Sequence, residues 1–341
     1  IFHIMESLGS ARIEGNRTTI AEYVDYELES ESPDTTLKEI RNIESALLFL
    51  EEHNRTTGMQ LRIDERLLRE LHRMVTQDLP VEGEGDATPG EYRKGEVSIA
   101  RSSHRPPQAD DVPALMEELM HFIRSDTPPK YDLIKISLVH HRLAWIHPFS
   151  NGNGRTVRLL TYALLLNAGF RVGGEYPTSR LLNPTAVFCS DRNSYYDHLS
   201  MADTGTREGL LSWCRYVLEG LKTELDKIES LFDYTYLRSK IIQPAIIELH
   251  RKNGISDHER AVLLTTVEKG PIQNRYIRPV TVGLSQVQTS RILQSLRKRG
   301  LLQHSPESKR SYIIGVVHSS PIREILRKLD ELGFLPIKGE V

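Results

Sequence analysis

The sequence predicts a mainly α protein in two parts. One is a large helical domain broken by a single hairpin or extended flap, and the other is a smaller C-terminal domain where helices lead into two short strands. Three observations predict this. Apolar residues recur at helical spacing through most of the chain, as in the stripe Leu37, Ile40, Ile43, Leu47 and Leu50. Between Pro80 and Pro107 that spacing gives way to glycine, proline and charge, with a short alternating piece at Glu96-Val97-Ser98-Ile99-Ala100. Beyond Asn253-Gly254 two helical stretches are followed by the apolar runs Leu301-Leu302-Gln303 and Tyr312-Ile313-Ile314 around a polar loop. The expected divisions are N-terminal helices over 1–60, the main helical domain over 61–225, a linker helix over 226–253, the strand-containing domain over 254–318, and a terminal helix and tail over 319–341.

A length of 341 residues is enough for more than one domain and a sizeable core. With 39% hydrophobic and 26% charged residues and a net charge of -2, the chain reads as globular and not as a globally basic nucleic-acid binder. Two cysteines, Cys189 and Cys214, have no metal-ligand spacing and predict a reduced pair in a cytoplasmic protein. No run reaches membrane-spanning length, and Ile1 to Ser10 lacks the apolar core of a signal peptide.

Taken in order, residues 4–29 read as helical with a break near Gly15, and Ser30 to Thr35 as a polar loop. Thr36 with Glu39 spells a capping box for the next helix, and Asp64 can cap another running to about Gln77. Asp111 and Pro113 open a helix to about Arg124. Tyr131 to Ile146 is helical and stopped by Pro148, and Val157 to Ala168 is apolar on nearly every face, with Gly169 as its terminator. Asn193-Ser194-Tyr195-Tyr196 opens a further helix whose adjacent tyrosines point to different faces. Gly209 to Lys240 is long, with Trp213 on its apolar side. Asp257 to Lys269, Gly283 to Gly300 and Pro321 to Leu332 supply the remaining helices.

Chemistry concentrates between the two central helices, at His147-Pro148-Phe149-Ser150-Asn151-Gly152-Asn153-Gly154-Arg155-Thr156-Val157-Arg158. Glycines at 152 and 154 let backbone N–H groups converge on an anion at a helix N-terminus. Arg155 and Arg158, three residues apart, can face one space from the first turn. Cations there oppose the helix dipole, which makes sense if a polyanion or a carboxylate completes the site. His147 stands beside this nest, where a neutral imidazole can take a proton from a nucleophile. Asn-Gly is also a hairpin signal, but the flanking periodicity is helical, and no P-loop ending is present.

This stretch resembles the Fic motif, His-Pro-Phe-x-Asp/Glu-Gly-Asn-Gly-Arg-x-x-Arg, at every fixed position except Asn151. The resemblance, which extends over roughly residues 5–225, implies a mostly helical fold that transfers AMP from ATP to a Tyr, Ser or Thr hydroxyl of a target protein. It implies His147 as general base and a nucleotide held by Asn151, Gly152, Asn153, Gly154, Arg155, Thr156, Val157 and Arg158. The family's Mg²⁺ ligand is usually acidic, so Asn151 offers a weakened metal site. Gly90-Glu91-Tyr92-Arg93 and Val97, Ser98, Ile99 and Ala100 resemble the family's flap, which aligns the target by strand-like pairing. Tyr195 and Tyr196 resemble the adenosine side of the pocket, and Asp203 stands where asparagine is frequent. Ser10-Ala11-Arg12-Ile13-Glu14-Gly15 resembles the family's inhibitory motif, in which the glutamate pairs with the second motif arginine, here Arg158. Taken alone, Glu14 reads as a solvated helix carboxylate.

Residues 254–318 resemble a winged helix-turn-helix domain. From Ser285 to Arg310 there are six basic residues and one acidic residue. That charge leaves DNA contact, through Lys298, Arg299 and Lys309, and a protein-docking or homodimer role both open. The rival to an enzyme is therefore a DNA-binding regulator that senses a nucleotide without transferring it. No membrane partner is expected.

Overall fold

A computed structural model describes residues 2–20, 22–23, 26, 34–57, 60–99, 104–170, 184–306, 308–315 and 321–334. It divides into one unit of residues 1–19 and 31–228 and another of residues 20–30 and 229–341.

In the first unit α1 (Phe2–Glu14) packs on α2 (Thr35–Thr57). The stripe read from the sequence is the reason, since Ile40, Ile43, Leu47 and Leu50 of α2 are fully buried. The capping expectation for α2 is corrected. Asp34, not Thr36, accepts the Leu37 N–H at 2.9 Å and the Thr36 hydroxyl at 2.7 Å, and Glu39 is buried beside Arg155. Asp64 caps α3 (Glu65–Thr76) as expected, accepting from Leu67 N at 3.0 Å. α4 (Val112–Arg124) packs on α5 (Asp132–Ile146), and α5 packs on α6 (Asn153–Asn167).

α6 starts four residues before the Val157 expected from apolar content. Gly152 adopts a left-handed conformation, φ 68°, and its carbonyl accepts from Thr156 N at 3.0 Å, so the polar residues of the motif form the first helical turn. The short α7 (Pro184–Cys189) packs on α1, and α8 (Arg192–Asp203) follows with Asp191 as its cap. α9 (Arg207–Phe232) carries Trp213, which is fully buried and donates to the Ser137 carbonyl at 2.7 Å. The expected hairpin is not formed within the described residues: 80–99 contain no strand. Ala100 lies outside the described residues.

The second unit contains α10 (Gln243–Arg251), α11 (Asp257–Lys269), β1 (Ile272–Gln273), α12 (Asn274–Ile277), α13 (Gln286–Lys298), β2 (Leu302–Ser305), β3 (Ser308–Ile314) and α14 (Pro321–Glu331). Reciprocal capping boxes start two of these helices, Ser256 with Glu259 and Ser285 with Gln288. The sheet is antiparallel in the order β1-β3-β2, with Leu302 opposite Ile314 and Ile272 opposite Tyr312. β1 escaped the sequence reading because two residues are too short to show alternation. Leu249, Val262, Leu263, Leu293, Leu296 and Leu302 form the core beneath it.

Two substitutions in α3 should separate cap from core. Asp64→Ala removes the cap, together with an exposed ion pair to Arg62 that contributes little, and should cost about 1 kcal/mol. Leu71→Ala removes a fully buried side chain and should cost about 2–5 kcal/mol. Urea unfolding of the two variants measures the difference, and equal losses would place Leu71 outside the core.

Candidate active site

α1, α5, α6 and α8 surround one cavity of about 230 Å³. Glu14, His147, Asn153, Gly154, Val157 and Arg158 line one part of it. Ile99, His104, Trp145, Tyr195, Tyr196 and Asp203 line the rest. Helix ends supply the polar part, and helix sides supply the aromatic part.

His147 is the residue after α5, in a left-handed conformation at φ 51° and ψ 60°. That conformation is uncommon for a residue with a Cβ and must be held by its surroundings. Arg93 holds it. The guanidinium Nε donates to the His147 carbonyl at 2.8 Å, and the Arg93 amide donates to the Pro148 carbonyl at 2.9 Å. The His147 Nδ1 lies 3.4 Å from the Ala144 carbonyl. A carbonyl only accepts, so Nδ1 carries the proton and Nε2 keeps its lone pair. Burial, opposed by that hydrogen bond and by Glu14, pushes the imidazole pKa down to about 4. His147 is therefore a neutral base at neutral pH.

Arg158 is buried and meets α1 three times. Its Nε donates to Ser10 Oγ at 2.8 Å, and its Nη2 donates to the Ser10 carbonyl at 3.0 Å and to Glu14 Oε1 at 2.6 Å. Burial by itself would raise the Glu14 carboxyl, but the Arg158 charge and hydrogen bond outweigh it and hold Glu14 below the ordinary carboxylate range. The same partner holds Arg158 above its usual range against the opposing effect of burial. Glu14 thus sits as an anion at the N-terminus of α6, whose first N–H groups have no intrahelical acceptor. Gly154 is where this matters sterically: a Cβ there would stand 2.1 Å from Glu14 Oε1. Any side chain at 154 would collide with the carboxylate.

The expectation that Arg155 and Arg158 converge is corrected. Arg155 is fully buried and turned toward α3, donating to the Val75 carbonyl at 3.1 Å, the Glu84 carbonyl at 2.7 Å and Glu84 Oε2 at 2.8 Å. Residues three apart on a helix differ by about 60° in direction, enough here for one to face the cavity and the other the neighbouring helix. Gly152 and Thr156 also lie outside the cavity lining. Gly152 makes the turn, and Thr156 Oγ1 donates back to the Gly152 carbonyl at 2.8 Å. Asn153 braces the loop, exchanging hydrogen bonds with Phe149 N and O at 2.9 and 2.8 Å.

Asn151 does not fit the role of a metal ligand. Its amide nitrogen donates to the Gly83 and Gly85 carbonyls at 2.7 and 3.0 Å, and its Oδ1 accepts from Gly152 N at 2.7 Å. The amide nitrogen fastens the 83–86 loop, while Oδ1 is engaged within the motif turn itself. Asp86 and His72 complete that fastening: Asp86 accepts from Asn151 N at 3.1 Å, and His72 accepts from Gly90 N and faces the Asn151 carbonyl. Among the described residues no group of three or more His, Cys, Asp or Glu could hold a metal ion.

At the aromatic end Tyr195 is buried, its hydroxyl 3.0 Å from His140 Nε2, so it is the core member of the tyrosine pair. Tyr196 is less buried and also lines the cavity. Asp203 accepts from His141 Nε2 at 2.9 Å and stands 3.9 Å from His104 Nδ1. His104, absent from the sequence reading, carried no signal beyond its identity. Of the flap residues Ile99 lines the cavity, whereas Val97 and Ser98 do not.

Residues 62–165 match the Fic/DOC family model. The protein adenylyltransferase Fic of Drosophila grimshawi is 29% identical over 258 residues, 74% of this chain and 47% of that protein. That of Drosophila virilis is 30% identical over 227 residues, 66% of this chain and 41% of that protein. The chain thus spans less than half the length of these curated relatives. A Fic family protein from Desulfovibrio desulfuricans superimposes with a TM-score of 0.53 at 21% identity, covering 92% of this chain and 86% of that one. A Fic domain-containing signalling protein from Bacteroides thetaiotaomicron gives 0.51 at 20% identity, covering 66% and 84%. The mainly helical fold is shared with these Fic structures.

Two measurements test the geometry. In an NMR titration His147 should stay neutral, with its proton on Nδ1, until the pH falls to about 4. Because this pKa is depressed, the unfolded chain binds the proton first, and the stability linked to His147 is present above its unfolded value and lost as pH falls. A midpoint near the unperturbed value would mean a solvated ring. Asn151→Asp should lower thermal stability by about 1–3 kcal/mol, because a carboxylate would face the Gly83 and Gly85 carbonyls with no donor. An unchanged melting temperature would show that the amide does not fasten the loop.

Proposed function

We propose that this chain is a protein adenylyltransferase that moves AMP from ATP to a Tyr, Ser or Thr hydroxyl of a protein and is held inactive by Glu14. The observation that carries the reading is the position of the Glu14 carboxylate. It occupies the anion place formed by the α6 N-terminus and Arg158, in the same cavity as the neutral base His147. The Fic/DOC match and the adenylyltransferase relatives support it.

ATP would place its phosphates along the first turn of α6, at Asn153 and Gly154, with Arg158 on the outer phosphate. The base would lie toward Tyr196 and Asp203. The target hydroxyl oxygen attacks the α-phosphorus as His147 Nε2 takes its proton, and the bond from the α-phosphorus to the bridging oxygen breaks to release pyrophosphate. The product is a protein–O–AMP phosphodiester. Val97 to Ile99, which pair with no strand among the described residues, would receive an extended target segment through backbone hydrogen bonds. While Glu14 holds Arg158, the outer phosphate has no cation and the α-phosphorus is misplaced for attack. Glu6, buried on the same helix and bonded to Thr185, fastens α1 in that position. The second unit is read as a winged helix-turn-helix domain, supported by its helix order and antiparallel hairpin. Cys189 and Cys214, both buried and neither in a disulfide among the described residues, fit a reducing, cytoplasmic setting.

Incubation with α-labelled ATP and mass spectrometry of the products tests the reaction. Glu14→Gly should raise AMP transfer by about 10²-fold, as expected when ångström-scale misplacement is relieved. His147→Ala in that background should abolish it, and Glu14→Gly with Arg158→Ala should lose the gain. Nucleotide binding with no transfer in any variant would instead favour a nucleotide sensor. Equal rates for wild type and Glu14→Gly would remove Glu14 as an inhibitor.

A further inference from the structure

The end of α5 carries the base, and it is not closed by its own chain. An α-helix leaves its last carbonyls without intrahelical donors. Here the residues that follow cannot supply them, because Pro148 has no N–H and His147 turns left-handed. His147 N reaches back only to the Leu143 carbonyl, at 3.1 Å. The carbonyls from Trp145 to Pro148 are answered from a distant part of the sequence instead. His104 Nε2 donates to the Trp145 carbonyl at 2.9 Å. The Arg93 guanidinium donates to the Ile146 carbonyl at 3.5 Å through Nη2 and to the His147 carbonyl at 2.8 Å through Nε. The Arg93 amide donates to the Pro148 carbonyl at 2.9 Å. Four consecutive carbonyls around the base thus take hydrogen bonds from Arg93 and His104.

The same guanidinium also holds its own segment. Nη1 donates to the Gly95 carbonyl at 3.0 Å, and Nη2 donates to the Pro107 carbonyl. The backbone on either side of Val97 to Ile99 therefore hangs from the side chain that holds His147. Arg93 is buried, and no carboxylate pairs with it among the described residues. Carbonyls spread around a planar fork fix its orientation, which a single ion pair would not. The cation faces the negative end of the α5 dipole, where a positive charge is favoured. Beside it the Tyr92 ring lies 5.6 Å from the Phe149 ring, so the contact is packed as well as hydrogen-bonded. A lysine ammonium is one donor centre and could not reach the Gly95, Pro107 and His147 carbonyls together.

We propose that Arg93 is a positioning residue for the base: with His104 it closes the C-terminal end of α5, so that the placing of His147 follows the placing of the 93–99 and 104–107 segments. This role deepens the reading of His147 as general base and rests on it. Arg93 takes no proton and meets no substrate. It acts on the ring only through the peptide groups before and after it. A target segment paired along Val97 to Ile99 would bear on the imidazole through Gly95 and the guanidinium, without touching the ring. A bond network of this kind couples neighbours because its members share partners.

The test uses the full chain and reads the His147 ring by NMR in wild type, Arg93→Lys and His104→Phe. The Arg93 charge itself depresses the imidazole, so Arg93→Lys, which keeps a charge, separates position from electrostatics. Wild type should titrate near 4 with the proton on Nδ1. In Arg93→Lys the midpoint should move up toward the ordinary histidine value of about 6.5, and the ring should become a mixture of tautomers. His104→Phe, which removes only the donor to the Trp145 carbonyl, should move the midpoint the same way by less. In the Glu14→Gly background, Arg93→Lys should lower AMP transfer from α-labelled ATP by about 10²-fold and leave ATP affinity unchanged. Free methylguanidinium should restore part of the rate to Arg93→Ala and none to His147→Ala. An unchanged His147 midpoint and tautomer in Arg93→Lys overturns the proposal, as does a rate loss matched by an equal loss of ATP affinity. If no variant transfers AMP, the reading of the reaction fails, and the ring measurements still decide the role of Arg93.

Discussion

The buried guanidinium of Arg158 is the constraint on which the first unit depends. It enters from the first turn of a helix, where the dipole disfavours a cation, and it is removed from water. Such a charge must be answered by acceptors, and the chain answers it from a single element. Ser10 Oγ, the Ser10 carbonyl and Glu14 all belong to α1. The docking of α1 and the state of the cavity are therefore one fact. A phosphate that displaced Glu14 would supply the missing anion, but only by separating a charge-assisted pair that is already satisfied.

The base is held by a different device. His147 ends α5 in a conformation that a side chain rarely adopts, and Arg93 fixes it through backbone carbonyls and not through the imidazole. The ring is thus oriented by its peptide, and its tautomer by the Ala144 carbonyl, which leaves the lone pair on Nε2. Behind it, Asn151, His72 and Asp86 lock the 83–90 loop onto the motif turn. The glycine-rich turn is consequently rigid on one side and open on the other. That asymmetry suits a site that must present N–H groups to an anion without rearranging.

The two units distribute charge in opposite ways. In the first, cations of the motif are buried and answered by carboxylates, as with Arg155 and Glu84 or Arg158 and Glu14. In the second, Arg291, Arg297 and Lys298 of α13 and Arg310 of β3 are exposed and have no ion pair among the described residues.

Local pattern determined much of this in advance. The stripe from Leu37 to Leu50, the Asp64 cap, the all-round apolar helix after the motif and the paired strands at Leu302 and Ile314 follow from periodicity and capping, which are properties of neighbouring residues. The motif itself placed His147, Gly154 and Arg158, and these do share one cavity. Sequence spacing could not decide which way Arg155 turns, because a 60° difference around a helix matters only once the neighbouring helix is in position. Nor could it show that the Asn151 amide is engaged at both ends, since Gly83 and Gly85 approach it only in the folded chain. Glu14 is the sharpest case. Alone it is one carboxylate on a short helix, and it lines the candidate site only because the chain folds to bring Arg158, 144 positions further on, within 2.6 Å of it.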